Sequence, residues 1–194
     1  MNLPTVRRPG RPRSAEADEA ILEAALDLFA KRGYEGLSVE AVAAQAGVSK
    51  ATIYRRYPSK TDLVIASCQR LAARVPPPDT GTLRGDLESI VGNLCRKLRT
   101  SVEGRAIAQM VSEMTRNPGL ADAHHGFVAE RRQRGIDALR RGVERGEVRS
   151  DIDVDLAADL VAGPIFYRAL VSGGRIDERF ARQHVAELVR YLAP

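Results

Sequence analysis

Residues 39–60 read VEAVAAQAGVSKATIYRRYPSK, and this stretch decides the fold. A first short helix is predicted where apolar residues repeat at the spacing of one helix face: Val39, Val42, Ala43 and Ala46. Ser38 in front of it is a favoured N-cap, and Gly47 interrupts it. Ser49 can cap a second short helix, which must end before Pro58 because the residue before a proline avoids the helical conformation.

Two short helices joined by a tight glycine turn are the arrangement of a helix-turn-helix motif. In that motif the first helix braces the second, whose N-terminal half enters the major groove of DNA. The second helix is rich in side chains that can donate to phosphates or base edges: Ser49, Lys50, Thr52, Tyr54, Arg55 and Arg56. A plain helical hairpin is the alternative, since any short amphipathic pair can show this pattern.

Basic side chains are concentrated in two stretches without acidic residues, 1–14 and 41–61, on either side of an acidic predicted helix. They are Arg7, Arg8, Arg11 and Arg13 in the first stretch and Lys50, Arg55, Arg56 and Lys60 in the second. The chain as a whole has a net charge of +5, which permits a nucleic-acid partner without demanding one. Two surfaces aimed at one polyanion fit this pattern, and so do ordinary solvated faces.

Residues 39–60 as a whole resemble the DNA-binding signature of the TetR family of bacterial transcriptional regulators. The preceding stretch LFAKRGY, residues 28–34, resembles the end of that family's first helix. The resemblance covers about residues 17–65, and its departures from the usual pattern are Ala51, Ile53 and Tyr57. None of these departures removes a hydrogen-bond donor or a core contact, so DNA binding is still implied.

By this resemblance, Thr52, Tyr54 and Lys60 bind phosphates, which fix the register of a protein on DNA. A second group is expected nearest the base edges: Lys50, Ala51 and either Arg55 or Arg56. The full set of predicted DNA contacts is Arg11, Arg13, Ser38, Ser49, Lys50, Ala51, Thr52, Tyr54, Arg55, Arg56 and Lys60.

The N-terminal sequence RPGRPR, residues 8–13, is a second candidate for DNA contact. Its prolines keep the chain extended and its arginines recur along it, which suits a narrow, A·T-rich minor groove. The segment partly resembles an AT-hook. A disordered solubilising tail is the alternative, and an arm that binds DNA without sequence preference is another.

Length and composition exclude several other classes. The 194 residues contain 44% hydrophobic and 28% charged residues, enough to build a core. Two cysteines, Cys68 and Cys95, are too few for a disulfide framework or a cysteine-based zinc site. The N-terminus lacks the apolar stretch of a secretory signal, and no apolar run approaches the ~20 residues of a membrane span, so we expect a cytoplasmic protein without membrane contact.

The rest of the chain is predicted to be helical almost throughout. Ser59 to Asp62 fits a capping box that opens a helix, and residues 76–81 interrupt helical structure because they contain three prolines. Further helices are predicted over 15–32, 82–101, 104–115, 119–145, 153–172 and 178–192. The expected fold is all-α: a basic arm (1–14), a three-helix helix-turn-helix DNA-binding domain (15–60) and a larger helical domain (61–194).

The resemblance implies that the larger domain binds a small molecule and forms a homodimer. The predicted 153–172 helix is apolar around most of its girth and the last helix has one apolar face, so two such helices from each subunit can form a four-helix bundle. Pro164 is expected to kink the first of them. Internal core helices of a monomer are the alternative.

The sequence leaves the chemical nature of the ligand open. Soft or aromatic side chains suggest an apolar effector and could line its pocket, although each could equally be core: Met110, Met114, Phe127 and Phe166. His124 and His125 are adjacent and point about 100° apart on a helix, which makes a poor metal pair. The arginine-rich segment 131–149 is interpreted as a solvated face, with contact to an anionic ligand as the alternative.

These observations and the resemblance favour a repressor that binds a pseudo-palindromic double-stranded operator as a homodimer and is released by a small molecule. No glycine-rich phosphate loop, nucleophile motif or metal-ligand spacing is found in the sequence, so we expect neither an enzyme nor a bound cofactor or metal. The alternative is an architectural or nonspecific DNA-binding protein without a ligand response.

Overall fold

The computed structural model describes residues 13–70 and 77–194, whose regular structure is entirely helical. No β-strand occurs in this part of the chain, which confirms the predicted all-α fold. The helices are α1 (Arg13–Gly36), α2 (Val39–Ala46), α3 (Lys50–Tyr54), α4 (Lys60–Gln69), α5 (Leu83–Thr100), α6 (Val102–Glu113), α7 (Pro118–Glu144), α8 (Val154–Phe166) and α9 (Glu178–Leu192), with a π-helical turn (Tyr167–Ser172) after α8.

The helix-turn-helix forms from the local signals in its sequence. Ser38, Ser49 and Ser59 each cap a helix by accepting the backbone N–H three residues further on. The carboxylate of Asp62 accepts the N–H of Ser59 in return, which completes the predicted capping box. Gly47 ends α2 in the left-handed conformation, with a φ of 67°, and so supplies the turn between α2 and α3.

α1 is regular as far as Gly33, whose φ of 69° and ψ of −176° lie outside the helical range. This conformation is essentially restricted to glycine, so Gly33 ends the regular helix close to the predicted boundary at residue 32. A Cβ atom on Gly33 would lie 2.9 Å from Oε1 of Gln109 in α6. The end of α1 therefore lies directly against α6.

A first hydrophobic core joins the N-terminal helices to part of the larger domain. Its buried side chains include Phe29 of α1, Val42 of α2, Ile53 of α3, Leu63 of α4, Met110 of α6 and Leu120 of α7. Residues on both sides of position 60 thus share one core, and α4 and α6 pack directly on the DNA-binding helices. The division into domains at residue 60 stays a prediction.

A second core joins α5, α7, α8 and α9, and it encloses an ion pair. Its carboxylate, that of Asp86, is fully buried. Arg141 Nη2 donates to it at 2.9 Å, and the backbone N–H of Thr80 donates at 2.7 Å. Burial disfavours the charge of Asp86, but the hydrogen bonds from Thr80 and Arg141 prevail and hold its pKa below the usual value.

The predicted helix over 153–172 is not α-helical along its whole length. The α-helix ends at Phe166, two residues after Pro164, and the π-helical turn continues to Ser172. Pro164 has no N–H to donate to the carbonyl of Leu160, so α8 lacks one hydrogen bond in the turn before the π-helical turn begins. Gly173, with a φ of 66°, ends the segment at the predicted place.

Candidate nucleic-acid interface and ligand cavity

α3 packs into the core on one side and is exposed on the other. Ile53 is fully buried, and the exposed surface, here called the α3 face, consists of Ser49, Lys50, Ala51, Tyr54 and Arg55. Tyr54 leaves 48% of its surface uncovered. The hydroxyl groups of Ser49 and Thr52, at the start of α3, lie 2.9 Å apart. The α3 face therefore presents hydroxyl, ammonium and guanidinium donors together.

Lys50 of the α3 face is paired with an acidic neighbour. Its Nζ atom lies 3.0 Å from Oε1 of Glu40 in α2, and both side chains are more than half exposed. The pKa of Glu40 is lowered mainly by a hydrogen bond from its own backbone N–H, and to a smaller extent by the hydrogen bond from Lys50. Glu40 therefore holds the ammonium group of Lys50 in an exposed ion pair next to the α3 face.

The two consecutive arginines at the end of α3 have different surroundings. Arg55 is exposed, whereas 18% of the Arg56 side chain is exposed and its Nη1 atom donates to Oδ1 of Asp18 at 2.9 Å. The hydroxyl of Tyr57 donates to the same oxygen at 2.7 Å. Burial, together with this bond to Asp18, raises the pKa of Tyr57 to about 12. Asp18 therefore ties the end of α3 to α1.

Lys60 lies at the start of α4 and is held by Tyr34. Its Nζ atom donates to the carbonyl of Tyr34 at 2.8 Å and lies 4.3 Å from the centre of the aromatic ring. The hydroxyl of Tyr34 is in turn 2.7 Å from that of Thr61. The ammonium group thus has a fixed position next to the N-terminus of α4, where a phosphate is also favoured by the helix dipole.

The remaining predicted DNA contacts are Arg11, Arg13 and Ser38. Arg11 and the rest of the arm up to residue 12 lie outside the described residues, and so does the side chain of Arg13 at the first position of α1. Ser38 is exposed, and its hydroxyl accepts the backbone N–H of Ala41. A role of the arm in DNA binding stays a prediction.

A cavity of about 380 Å³ lies between α5, α7 and α8 and is called the main cavity here. Its volume falls in the range of ~300–1,000 Å³ that is usual for small-molecule sites. Of the side chains predicted to contact a ligand, Phe127 and Phe166 line it. Met110 lines a neighbouring cavity of about 20 Å³, and Met114 at the end of α6 lines neither cavity.

The main cavity also carries basic side chains, three of which belong to the segment 131–149 that the sequence offered as an alternative contact for an anionic ligand. They are Lys97 of α5 and Arg131, Arg132 and Arg134 of α7. The interpretation of the arginine-rich segment as a solvated face is therefore wrong at its start, because α7 packs this part against α5 and α8. A usable signal was present: Phe127, Arg131 and Arg134 repeat at i, i+4 and i+7 and share one helix face.

The basic residues of the main cavity lie close enough to affect one another's ionisation. Burial lowers the pKa of Lys97 and the nearby charge of Arg131 lowers it further, while Glu103 acts in the opposite direction. Burial also lowers the pKa of Arg131, and Arg134 adds to this effect. The guanidinium of Arg131 lies over the ring of Phe127, 4.5 Å from its centre. This wall therefore combines positive charge with an aromatic surface.

The two cavities are connected by shared side chains. Ile107, His124 and Phe127 line both of them, and the smaller cavity is also lined by Ile65 and Cys68 of α4. His124 stacks against Phe127 with ring centres 6.4 Å apart, and burial lowers its pKa. Contiguous contacts thus lead from the main cavity to the helix that follows the helix-turn-helix.

The histidines form no metal centre in the part of the chain that the structure describes, where no group of three or more His, Cys, Asp or Glu residues could hold an ion. His184 contacts the carbonyl of Val161 at 3.1 Å and stacks on Phe180. Across residues 13–70 and 77–194, no helix is both long and apolar enough to span a bilayer.

A helix-turn-helix with an exposed basic helix, packed on a helical domain with a ligand-sized cavity, defines a DNA-binding transcriptional regulator. Residues 21–67 match the family described as "Bacterial regulatory proteins, tetR family", and residues 77–188 match "Tetracyclin repressor-like, C-terminal domain". The chain belongs to the TetR family of bacterial transcriptional regulators.

Individual relatives confirm the predicted family over nearly the whole chain. The HTH-type transcriptional regulator YdeS of Bacillus subtilis is 36% identical over 178 residues, which cover 91% of this chain and 89% of that protein. The DNA-binding transcriptional repressor TetR of Mycobacteroides abscessus is 33% identical over 186 residues, with coverages of 94% and 95%. The solved structure of the TetR family transcription regulator SCO0332 has a TM-score of 0.73 at 28% identity, covering 92% of this chain and 100% of that one.

Proposed function

We propose that this regulator binds a pseudo-palindromic operator as a homodimer and leaves it when a small molecule occupies the main cavity. The observation that carries the proposal is the connection between the two cavities. Ile107, His124 and Phe127 line the main cavity and also the smaller one, which reaches α4. A ligand that displaces these side chains therefore acts on a helix that packs against the DNA-binding helices.

In this proposal the α3 face enters the major groove of DNA. Arg55 reads bases, because it is exposed and a guanidinium can donate two hydrogen bonds to guanine, worth ~1–3 kcal/mol of discrimination. Tyr54 and Lys60 bind the flanking phosphates, while Lys50 approaches the base edges from the first turn of α3. Arg56 supports the helix through Asp18 instead of contacting bases.

The homodimer is proposed to form through α8, the π-helical turn and α9. These elements expose large apolar side chains in the single chain: Leu156, Tyr167, Leu170, Val171 and Tyr191. The contact between His184 of α9 and the carbonyl of Val161 in α8 places the two helices side by side. The same two helices of a second copy can cover this surface in a symmetric four-helix bundle.

Such a dimer presents two α3 faces to successive major grooves, ~34–36 Å apart along the DNA. A ligand that favours a conformation with a different spacing shifts the population away from DNA. Changing the ratio of the DNA-binding conformation to the other conformation from 99:1 to 1:99 requires the ligand to bind the second one more tightly by ~5.5 kcal/mol. We propose repression as the direction of control, since a relative that matches nearly the whole chain is named a repressor.

The operator is tested by selecting bound sequences from random DNA and footprinting them with DNase at rising protein concentration. A discrete protected site with two related half-sites is the expected result. A footprint that spreads with concentration, without a preferred site, would instead favour an architectural or nonspecific DNA-binding protein.

Gly135 allows the ligand response to be tested before the ligand is known. It lines the main cavity, and nothing lies within 4 Å of the position that its Cβ atom would occupy. Gly135→Leu places a side chain in the cavity, so we expect a folded protein with weakened operator binding. Gly126→Leu is the control, because Gly126 lies on the same helix, is exposed and is equally open. Operator binding by folded Gly135→Leu that equals the control would contradict the coupling.

A further inference from the structure

The main cavity is lined by both apolar and basic side chains. The apolar ones include Ile90, Leu94, Phe127, Val161 and Phe166. The basic ones are Lys97, Arg131, Arg132 and Arg134, whereas Asp159 is the one carboxylate among the described residues that line the cavity. The lining therefore contains more positive than negative side chains.

Part of this positive charge is matched by neighbouring carboxylates. Arg132 donates to Asp159 and to Asp155 in α8, each at 2.7 Å. Arg134 lies 3.6 Å from Glu130, one turn earlier in α7. Arg132 is thus neutralised by two carboxylates, and Arg134 has one carboxylate close by.

Lys97 and Arg131 are the other two basic side chains of the lining. Burial and the charge of Arg131 lower the pKa of Lys97 against the effect of Glu103. Burial and the charge of Arg134 lower the pKa of Arg131 against the effect of Glu130. An anion in the cavity beside these groups would relieve this repulsion and would accept charge-assisted hydrogen bonds. A neutral ligand would exclude water from the same charges without compensating them.

We propose that the effector is an anionic amphiphile, whose carboxylate, sulfonate or phosphate group is held by Lys97 and Arg131 and whose apolar body lies along Leu94, Phe127 and Phe166. This inference rests on the proposed function, because it names the ligand class of the same cavity. It differs from the apolar effector that the sequence favoured and takes up the alternative of an anionic ligand at the arginine-rich segment, adding Lys97, which reaches the cavity because α5 packs against α7.

The test compares two fluorescent probes that share an aromatic body, anilinonaphthalene sulfonate and the neutral N-phenylnaphthylamine. Both are titrated into the full-length protein without DNA. Lys97→Met is expected to weaken binding of the sulfonate about tenfold, the effect of losing one charge-assisted hydrogen bond, and not to weaken binding of the neutral probe, which no longer has to desolvate that charge. Lys97→Met should also keep the fold, because it removes a charge that its neighbours repel.

Two further variants control for charge and for location. Arg140→Met removes an exposed charge from α7 outside the lining and should affect neither probe. Gly135→Leu fills the cavity and should displace both probes. An aliphatic pair repeats the comparison: octanoate should raise the Tm of the protein, and more than octanol does.

The inference is overturned if Lys97→Met changes the binding of both probes equally or of neither. It is also overturned if Gly135→Leu leaves sulfonate binding intact, since the probe would then bind elsewhere. Because these titrations contain no DNA, their failure is distinct from a failure of ligand-induced release. The operator affinity of Gly135→Leu tests that release separately.

Discussion

The guanidinium of Arg56 is anchored to the carboxylate of Asp18 in α1 at 2.9 Å, while the preceding Arg55 stays exposed on the α3 face. One arginine of the pair is thus used inside the protein and the other is available to DNA. The pair allows recognition to be separated from stability by two substitutions of the same kind at consecutive positions.

Arg55→Ala should weaken binding to the selected operator by ~1–3 kcal/mol, the usual value of a lost base contact, and leave the free energy of unfolding unchanged. Arg56→Ala should instead lower the free energy of unfolding by about 1 kcal/mol, since the ion pair is partly solvated. Fluorescence anisotropy with operator DNA and urea denaturation measure the two effects. If only Arg55→Ala lowered the free energy of unfolding, Arg55 would be the supporting residue and Arg56 the one available to DNA.

Glu40→Gln should increase the affinity for DNA. The substitution removes a negative charge from the proposed interface and releases the ammonium group of Lys50, which lies 3.0 Å away, for the base edges. Operator affinity should rise by up to ~1–3 kcal/mol, the usual value of a base contact. The measurement is fluorescence anisotropy with operator DNA.

Glu88→Gln is the matched control for this prediction, because Glu88 is an exposed carboxylate on α5, outside the proposed interface. Equal operator affinities of wild type and Glu40→Gln would mean that Glu40 does not restrain Lys50 from contacting DNA.

The local signals of this sequence predicted the helix-turn-helix well. Ser38, Ser49 and Ser59 cap helices through contacts three residues along the chain, and Gly47 supplies its turn without any distant partner. Such features depend on a few consecutive residues, so spacing alone identifies them.

The main cavity was predicted less well, because it depends on contacts between distant segments. Phe127 and Phe166 line it as expected, but Met114 does not. Lys97 of α5 and Arg131 of α7 line the same cavity, and the sequence alone does not show which faces of two helices pack together. Charge was therefore assigned to solvent where tertiary packing turns it inward.

Gly33→Ala should lower the free energy of unfolding by ~1–3 kcal/mol, the usual cost of a residue forced into this backbone region. Gly47→Asn should cost less, because asparagine tolerates the left-handed conformation that Gly47 adopts and nothing lies within 4 Å of its Cβ position. Urea denaturation compares the two variants.

A Cβ atom on residue 33 would also approach Oε1 of Gln109 to 2.9 Å, but this atom is the mobile end of a side chain. Gln109→Ala in the Gly33→Ala background should therefore restore little stability. Full restoration would show that the contact with α6, and not the backbone conformation, requires glycine.

Asp86→Asn should lower the free energy of unfolding at neutral pH by ~1–3 kcal/mol, because it weakens hydrogen bonds to a buried carboxylate. The folded state lowers the pKa of Asp86 below the ~3.9 of an unfolded aspartate. The carboxylate therefore contributes its full stability above that value and loses it as the pH falls through about 4 toward the folded pKa. Urea denaturation at several pH values should show wild type and variant converging in acid.

Asp79→Asn is the control for the same arginine. Asp79 lies 3.6 Å from Arg141 but 71% of its side chain is exposed, so its loss should change stability little. A difference between wild type and Asp86→Asn that stays constant down to acid pH would contradict the linkage.

Val171→Asp should convert the proposed homodimer to monomer. Val171 leaves 73% of its surface exposed on the π-helical turn, and a charge placed there would lie at the centre of an apolar contact between two copies. Val111→Asp is the control, because Val111 is also exposed but lies on α6, away from α8 and α9. Sedimentation equilibrium should show a dimer for wild type and Val111→Asp and a monomer for Val171→Asp.

Because each half-site alone binds weakly, the monomer should also lose most of its operator affinity while its α3 face is unchanged. A folded Val171→Asp protein that remains dimeric would place the interface elsewhere.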